Sequence, residues 1–155
     1  MSGRLEQIWL KRAHYGPMDP VSRAVLVEGK GVRDSANYGS AREVTLISLE
    51  RWLALTSELG VDVDPSARRA DLLVSGVDLE QSRGRFLKIG ECLLEIAGEV
   101  RPCERMDAAC RGLRDVMSPH WGGGAWGHVI RTGEIRLADP VAWDAELFAD
   151  DIVRT

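Results

Sequence analysis

The 155-residue sequence is short of several things, and each shortage excludes a class of protein. Uninterrupted apolar runs extend over only a few residues, as in Ala24-Val25-Leu26-Val27, whereas a helix that spans a bilayer needs about 20. No membrane segment is expected. Residues Met1 to Gln7 lack the apolar centre of a secretory signal, so a reducing, cytoplasmic location is predicted. A basic surplus is also missing, because 20 Lys and Arg stand against 24 Asp and Glu for a net charge of −4. Nucleic-acid binders normally carry a clustered basic face, so no nucleic-acid partner is expected. Cysteine is scarce and odd in number, three in all, which rules out a fully paired disulfide scaffold and leaves at least one free thiol. The three histidines, at 14, 120 and 128, are scattered without zinc-ligand spacing. The Gly-x-Ser-x-Gly elbow of serine hydrolases and the glycine-rich phosphate loops of nucleotide enzymes are both absent.

What is present suits one domain. Hydrophobic residues make up 45% of the chain, and a chain of this size can bury a core without staples. The predicted organisation is a single domain over residues 1–155, with a core of about 8–143 and an acidic tail at 144–155. Leu5 to Leu10, Arg23 to Val27, Val44 to Ile47 and Asp71 to Val74 read as short strands rich in β-favourable residues. Gly16-Pro17-Met18-Asp19-Pro20 reads as a rigid loop, since two prolines oppose a regular element. Ser48 to Leu59 has helical period, with Leu49, Trp52, Leu53, Thr56 and Leu59 on one face, Ser48 as N-cap and Gly60 as the stop.

Arg85 to Ile89 and Cys92 to Ala97 flank Gly90-Glu91, whose spacing predicts a two-residue hairpin turn. A second helix is predicted over Glu104 to Met117, where Met106, Ala109, Cys110, Leu113 and Met117 form a stripe ended by Ser118-Pro119. Trp126 to Ile130 and Glu134 to Leu137 read as a second hairpin around Thr132-Gly133, and Val141 to Trp143 as a last strand. About seven to nine short strands predict a mainly β, α+β fold, closed or partly closed into a barrel, because closure removes exposed strand edges.

The three thiols differ in setting. Cys92 alternates with Leu94 and Ile96 on one strand face and reads as a core residue. Cys110 falls on the apolar stripe of the second helix, where burial suppresses the thiolate. Cys103 sits in Arg101-Pro102-Cys103-Glu104-Arg105-Met106, immediately before a helix and between two guanidinium groups. The helix terminus and the arginines favour ionised sulfur, Glu104 opposes them, and Pro102 fixes the approach of the chain. A Cys–His pair with His120 or His128 stays open at this point.

The ordered motifs around Cys103 resemble those of the MOSC domain, the C-terminal module of molybdenum-cofactor sulfurases that also occurs as short stand-alone bacterial proteins. The resemblance runs over roughly residues 8–143. It rests on Pro17-Met18, Gly31-Val32 followed by Asp34, Arg42-Glu43-Val44-Thr45-Leu46-Ile47, Arg69-Ala70-Asp71-Leu72, Gly76-Val77-Asp78-Leu79, and Gly84 to Gly90. It continues through Pro102-Cys103-Glu104-Arg105-Met106 and Gly122-Gly123 ahead of Gly133-Glu134-Ile135. The chain departs from the family pattern where Arg-x-Asn becomes Arg69-Ala70-Asp71, which sets a carboxylate where an amide is usual.

The resemblance implies a MOSC-like β-barrel with peripheral helices. It also implies that Cys103 is the reactive cysteine, which carries sulfane sulfur as a persulfide or ligates molybdenum. Either role calls for a thiolate. The implied cofactor is molybdopterin, whose phosphate suits arginine forks. Arg42, Arg69, Arg101 and Arg105 are the candidate clamps, with Met18, Gly122 and Gly123 at the same mouth. No PLP is expected in this chain, so a separate cysteine desulfurase would donate any sulfur. The implied work is cofactor handling or reduction of N-hydroxylated compounds, by a sulfurtransferase or a molybdenum-dependent oxidoreductase. Two other readings stand beside it: a non-catalytic barrel that binds a small anionic ligand, and a metal-free thiol enzyme acting on a sulfur-containing metabolite.

Overall fold

A computed structural model describes residues 3–148. In chain order the elements are β1 (Gly3–Lys11), β2 (Met18–Val21), β3 (Arg23–Val27), β4 (Gly31–Val32), β5 (Val44–Ser48), α1 (Leu49–Leu59), a 3-10 turn (Pro65–Arg68), β6 (Leu72–Ser75), β7 (Arg85–Ile89) and β8 (Cys92–Glu99). Then follow α2 (Glu104–Ala109), α3 (Leu113–Met117), a second 3-10 turn (Pro119–Trp121), β9 (Ala125–Arg131), β10 (Gly133–Arg136) and β11 (Pro140–Phe148). Among the described residues no helix is long and apolar enough to cross a membrane.

Seven strands form a closed ring in the order β1, β11, β7, β8, β9, β5 and β6, which returns to β1. The neighbouring pairs are antiparallel except β5 and β6, which run parallel from Leu46↔Leu72 to Ser48↔Val74. Parallel neighbours need a crossover rather than a tight turn, and α1 supplies it. Ser48 accepts a hydrogen bond from the Arg51 N–H at 3.2 Å and so caps α1. Gly60 ends the helix in the left-handed region at φ +68°.

Alternate residues of the strands fill the barrel. Leu5, Ile8, Leu46, Leu72, Leu87, Leu94 and Ile96 are fully enclosed, and each such side chain contributes about 1.5–3 kcal/mol of transfer free energy. The outward residues of the wall under the helices make a second core. Trp9, Ile47 and Leu73 from the strands meet Trp52 and Leu55 of α1, Met106 of α2, and Leu113 and Met117 of α3. Through this layer the helices, and with them the segment carrying Cys103, are fixed to the barrel.

Several expectations need correction. Leu53 is exposed and Leu55 takes its place on the buried face of α1. The second helix is interrupted: Cys110 is extended and Gly112 stands at φ +88°, which separates α2 from α3. Ala109 is accordingly exposed and Cys110 half-buried. Residues 18–21 are not loop but the strand β2, which pairs with β1 at the outer edge, where the missing N–H of Pro20 is tolerated. β9 and β10 do not form the expected hairpin, because β10 leaves the ring and pairs with β3 in a three-stranded sheet with β4. The ordered fold begins before residue 8, since β1 starts at Gly3, and the predicted tail boundary at 144 cuts through β11. The rest of that tail, 149–155, lies outside the described residues.

Candidate functional site

The site is built where the end of β8 turns toward α2. Beyond Glu99 the chain is held by the Val100 N–H, which donates to the Gly124 carbonyl at 2.9 Å. The stretch from Val100 to Pro102 lies directly on Gly123, where an added Cβ would collide with the Val100 carbonyl and crowd the Pro102 ring. Gly122 is equally constrained, against the Met117 carbonyl at the end of α3. Arg68 ties the arrangement from the other side. Its Nε donates to the Gly123 carbonyl at 2.9 Å and its Nη2 to the Arg101 carbonyl at 3.4 Å. Cys103 then stands at the N-cap of α2, partly exposed, with no capping hydrogen bond from its side chain.

Cys103 faces a cavity of about 460 Å³, a size usual for small-molecule sites. Five cationic side chains line it: Lys11 at the end of β1, Arg42 ahead of β5, Arg68 at the end of the 3-10 turn and Arg69 just after it, and Arg105 of α2. Among the described residues no Asp or Glu lines it, and Asn37, Ser40 and Thr45 add neutral polar groups. Arg69 takes the left-handed conformation, φ +62°, as the turn ends. Its Nη2 is buried without a hydrogen-bond partner, which is the state of a donor awaiting an acceptor. Burial pushes Lys11 below the ordinary lysine range, with Arg69, Arg105 and Arg68 adding to the effect and Asp71 opposing it. Burial likewise lowers Arg68, and the sulfur of Cys103 acts against that loss while Arg42 adds to it.

Two of the cations rest on aromatic faces. The Arg105 guanidinium lies 4.7 Å from the ring centre of Tyr15, and that of Arg42 lies 5.8 Å from the Trp126 ring. Trp126 is in turn edge-on to His128 at 5.3 Å. His128 Nδ1 is 2.7 Å from Glu43 Oε2, and the Val129 N–H donates to Glu43 Oε1 at 3.0 Å. The carboxylate next to Arg42 in sequence is thereby held away from the cavity.

Of the residues singled out from sequence, Cys103, Arg42, Arg69, Arg105 and Gly123 line this one cavity. Arg101, Met18 and Gly122 do not. Arg101 is exposed and contributes its carbonyl to Arg68. Met18 packs against the second core, beside Trp9 and Leu49. Gly122 packs against the Met117 carbonyl. Among the described residues neither His120 nor His128 lines the cavity that Cys103 faces; His120 Nδ1 meets Glu80 at 3.1 Å and His128 Nδ1 meets Glu43. Among the described residues no three or more His, Cys, Asp and Glu side chains cluster as a metal site would require. Cys92 is buried, and its thiol is pushed up to about 11, chiefly by that burial and then by Asp139 and Glu91. Lys11 and Arg68 were not anticipated. The Arg68-Arg69 doublet at the end of a Pro-initiated turn is a readable signal, whereas nothing local marks Lys11.

The sequence model of the MOSC domain matches residues 12–142. No curated protein matches the sequence. Among solved structures, YuaD from Bacillus subtilis superposes with a TM-score of 0.77 at 18% identity, covering 91% of this chain and 94% of that one. YiiM from Geobacillus stearothermophilus gives 0.70 at 13% identity, with coverages of 95% and 80%. YiiM from Escherichia coli gives 0.68 at 16% identity, with coverages of 96% and 74%. At these identities the structural likeness speaks for the fold.

Proposed function

The chain belongs to the MOSC domain family, and from that premise we propose that its cationic cavity holds the molybdenum cofactor, with Cys103 as the thiolate that meets the metal. The observation that carries this reading is the placing of one half-exposed thiol and five cationic side chains on a single cavity that no carboxylate lines among the described residues. A pterin with a phosphate tail needs both kinds of group, forked donors for the phosphate and a soft ligand for molybdenum.

The residues fit such a group. Arg69 brings a buried guanidinium nitrogen that has no partner among the described residues, and an anion would satisfy it. Arg42 and Arg105 lie over aromatic rings at the mouth, so their planar heads are already oriented and less side-chain freedom is lost on binding. Lys11 and Arg68 add charge from deeper positions. When bound, the cofactor supplies two-electron redox chemistry at molybdenum. The protein orients it, neutralises it and presents sulfur to it. The activity that follows is cofactor handling or reduction of N-hydroxylated compounds.

A sulfur-carrier role uses the same thiol, with a separate desulfurase as donor. The two roles separate experimentally. Protein made in a cofactor-competent host is analysed for molybdenum and pterin, and its intact mass is measured before and after exposure to a cysteine desulfurase with cysteine. The cofactor reading expects stoichiometric molybdenum in the wild type, lost in Cys103→Ser and reduced in Arg69→Gln. A sulfur adduct on Cys103 without molybdenum would replace it with the carrier role. Molybdenum retained by Cys103→Ser would overturn the role given to the thiol.

A further inference from the structure

Behind the cationic lining lies one carboxyl group. Asp71 is 2% exposed and sits between the Arg69–Ala70 segment that lines the cavity and the start of β6. Its Oδ2 accepts two hydrogen bonds from Thr45, from the backbone N–H at 2.9 Å and from the hydroxyl at 3.1 Å. The Asp71 N–H donates to the Thr45 Oγ1 at 3.0 Å in return. This clasp joins the parallel strands β5 and β6 just ahead of their first paired residues, Leu46 and Leu72. The other oxygen, Oδ1, is buried and has no partner.

The charged groups around Asp71 are nearly all positive. Lys11 of β1 acts on it electrostatically, and Lys11 in turn feels Arg68 and Arg69 at the end of the 3-10 turn and Arg105 of α2. From the start of β5, Arg42 adds a further cation to the cavity while Glu43 is tied off by His128. Cys103 is the remaining ionisable group on the lining. Burial pushes the Asp71 carboxyl above its ordinary range, against the Thr45 hydrogen bonds and Lys11.

We propose that Asp71 is a charge-setting residue for this cavity: the resident counter-ion of Lys11 and the neighbouring arginines when no anion is bound, which takes one proton from solvent when an anion enters. The inference rests on the reading of the cavity as an anion site. Its physical basis is the asymmetry of the carboxyl group. A proton on Oδ1 breaks no hydrogen bond, because Oδ1 makes none, and the Thr45 clasp on Oδ2 survives. A second anion in the cavity repels the buried carboxylate and offers Lys11 a new partner, so both effects favour the neutral acid. Anion affinity and proton uptake are therefore coupled, and affinity rises as pH falls.

The test uses sulfate, whose charge is constant over the range, titrated by calorimetry into the full chain between pH 5 and 8 in buffers of different ionisation heat. The work is done in the Cys103→Ser background, so that the thiol adds no proton of its own. The expected result is sulfate binding roughly tenfold tighter at the acidic end, with uptake of up to one proton per anion. Asp71→Asn keeps an acceptor for Thr45, and it is expected to bind as tightly at pH 8 as its parent does at pH 5, with no uptake. Flat affinity in the parent protein overturns the proposal whatever the variant does. Proton uptake that persists in Asp71→Asn also overturns it, by assigning the proton to another group such as a histidine. Absence of sulfate binding at every pH overturns the anion site itself and this inference with it.

Discussion

Arg68 donates from Nε to the carbonyl of Gly123 at 2.9 Å, and this bond joins two segments 55 residues apart at the base of the thiol loop. The same guanidinium reaches the Arg101 carbonyl at 3.4 Å. A cation that lines the cavity thus also holds the backbone from which Cys103 is presented. Its charge and its fork have separate uses, and they can be separated by mutation.

Arg68→Met keeps most of the apolar stem and removes the fork. It is expected to lower stability by about 1–3 kcal/mol, measured by urea unfolding, and to weaken sulfate binding. Arg68→Lys restores the charge without the fork, so it should recover anion affinity better than stability. Equal recovery of both would show that the two carbonyl contacts contribute nothing.

Gly123→Ala places a methyl group against the Val100 carbonyl and the Pro102 ring. Overpacking of this kind costs about 1–3 kcal/mol, and the displaced segment is the one that leads to Cys103. A lower Tm together with a lost anion site is the expected outcome. An unchanged Tm would mean that the Val100–Pro102 stretch yields freely.

The thiols should react in a fixed order under native conditions. Cys92 is buried, with its thiol pushed up to about 11, so on the order of one molecule in a few thousand carries that thiolate near pH 7.5. Iodoacetamide followed by peptide mass analysis should find Cys103 and Cys110 modified and Cys92 untouched until the protein is unfolded. Early modification of Cys92 would place it outside the barrel core.

Asp71 also predicts how stability varies with pH. Its carboxyl is raised in the folded state, so the folded protein holds the proton more tightly than the unfolded chain does. Stability is then highest below the ordinary carboxylate range and falls as pH rises through the folded value. Asp71→Asn removes the buried charge and should raise stability at pH 7.5 by about 1–3 kcal/mol, with the gain shrinking toward pH 4. A gain that grows on acidification would reverse the assigned sign.

What could be read without the structure was local. Ser48 and Gly60 bound α1 as their chemistry demands, and Ile89↔Cys92 closes the hairpin over Gly90-Glu91, with Gly90 at φ +55°. Pairings between distant strands are not written in local pattern. β10 has a hairpin spacing after β9 but finds β3, where Ile135 pairs with Ala24. The break between α2 and α3 was masked because Cys110 and Leu113 keep helical spacing across Gly112, a residue whose positive φ a periodicity count does not register. At the site, Cys103 stood out through its neighbours, whereas Lys11 became legible only when β1 lay beside β6. Arg101 shows the opposite: it adjoins the thiol in sequence but is not among the residues that line the cavity.

The closure of the ring has a consequence for how the molecule is made. β1 meets β11 through Gly3↔Val141 and Arg4↔Pro140, residues nearly the whole chain apart, and the Leu5 N–H donates to the Asp139 carbonyl at 2.9 Å. Until β11 has left the ribosome, Leu5 and Ile8 have no complete enclosure to enter. Contacts of such sequence separation are slow to form, because the loop-closure entropy is lost before they reward it. The barrel should therefore close only once β11 is available and in one cooperative step, measurable as a single slow phase in stopped-flow refolding. A mutation at the β1–β11 seam should slow that phase even though it lies outside the cavity.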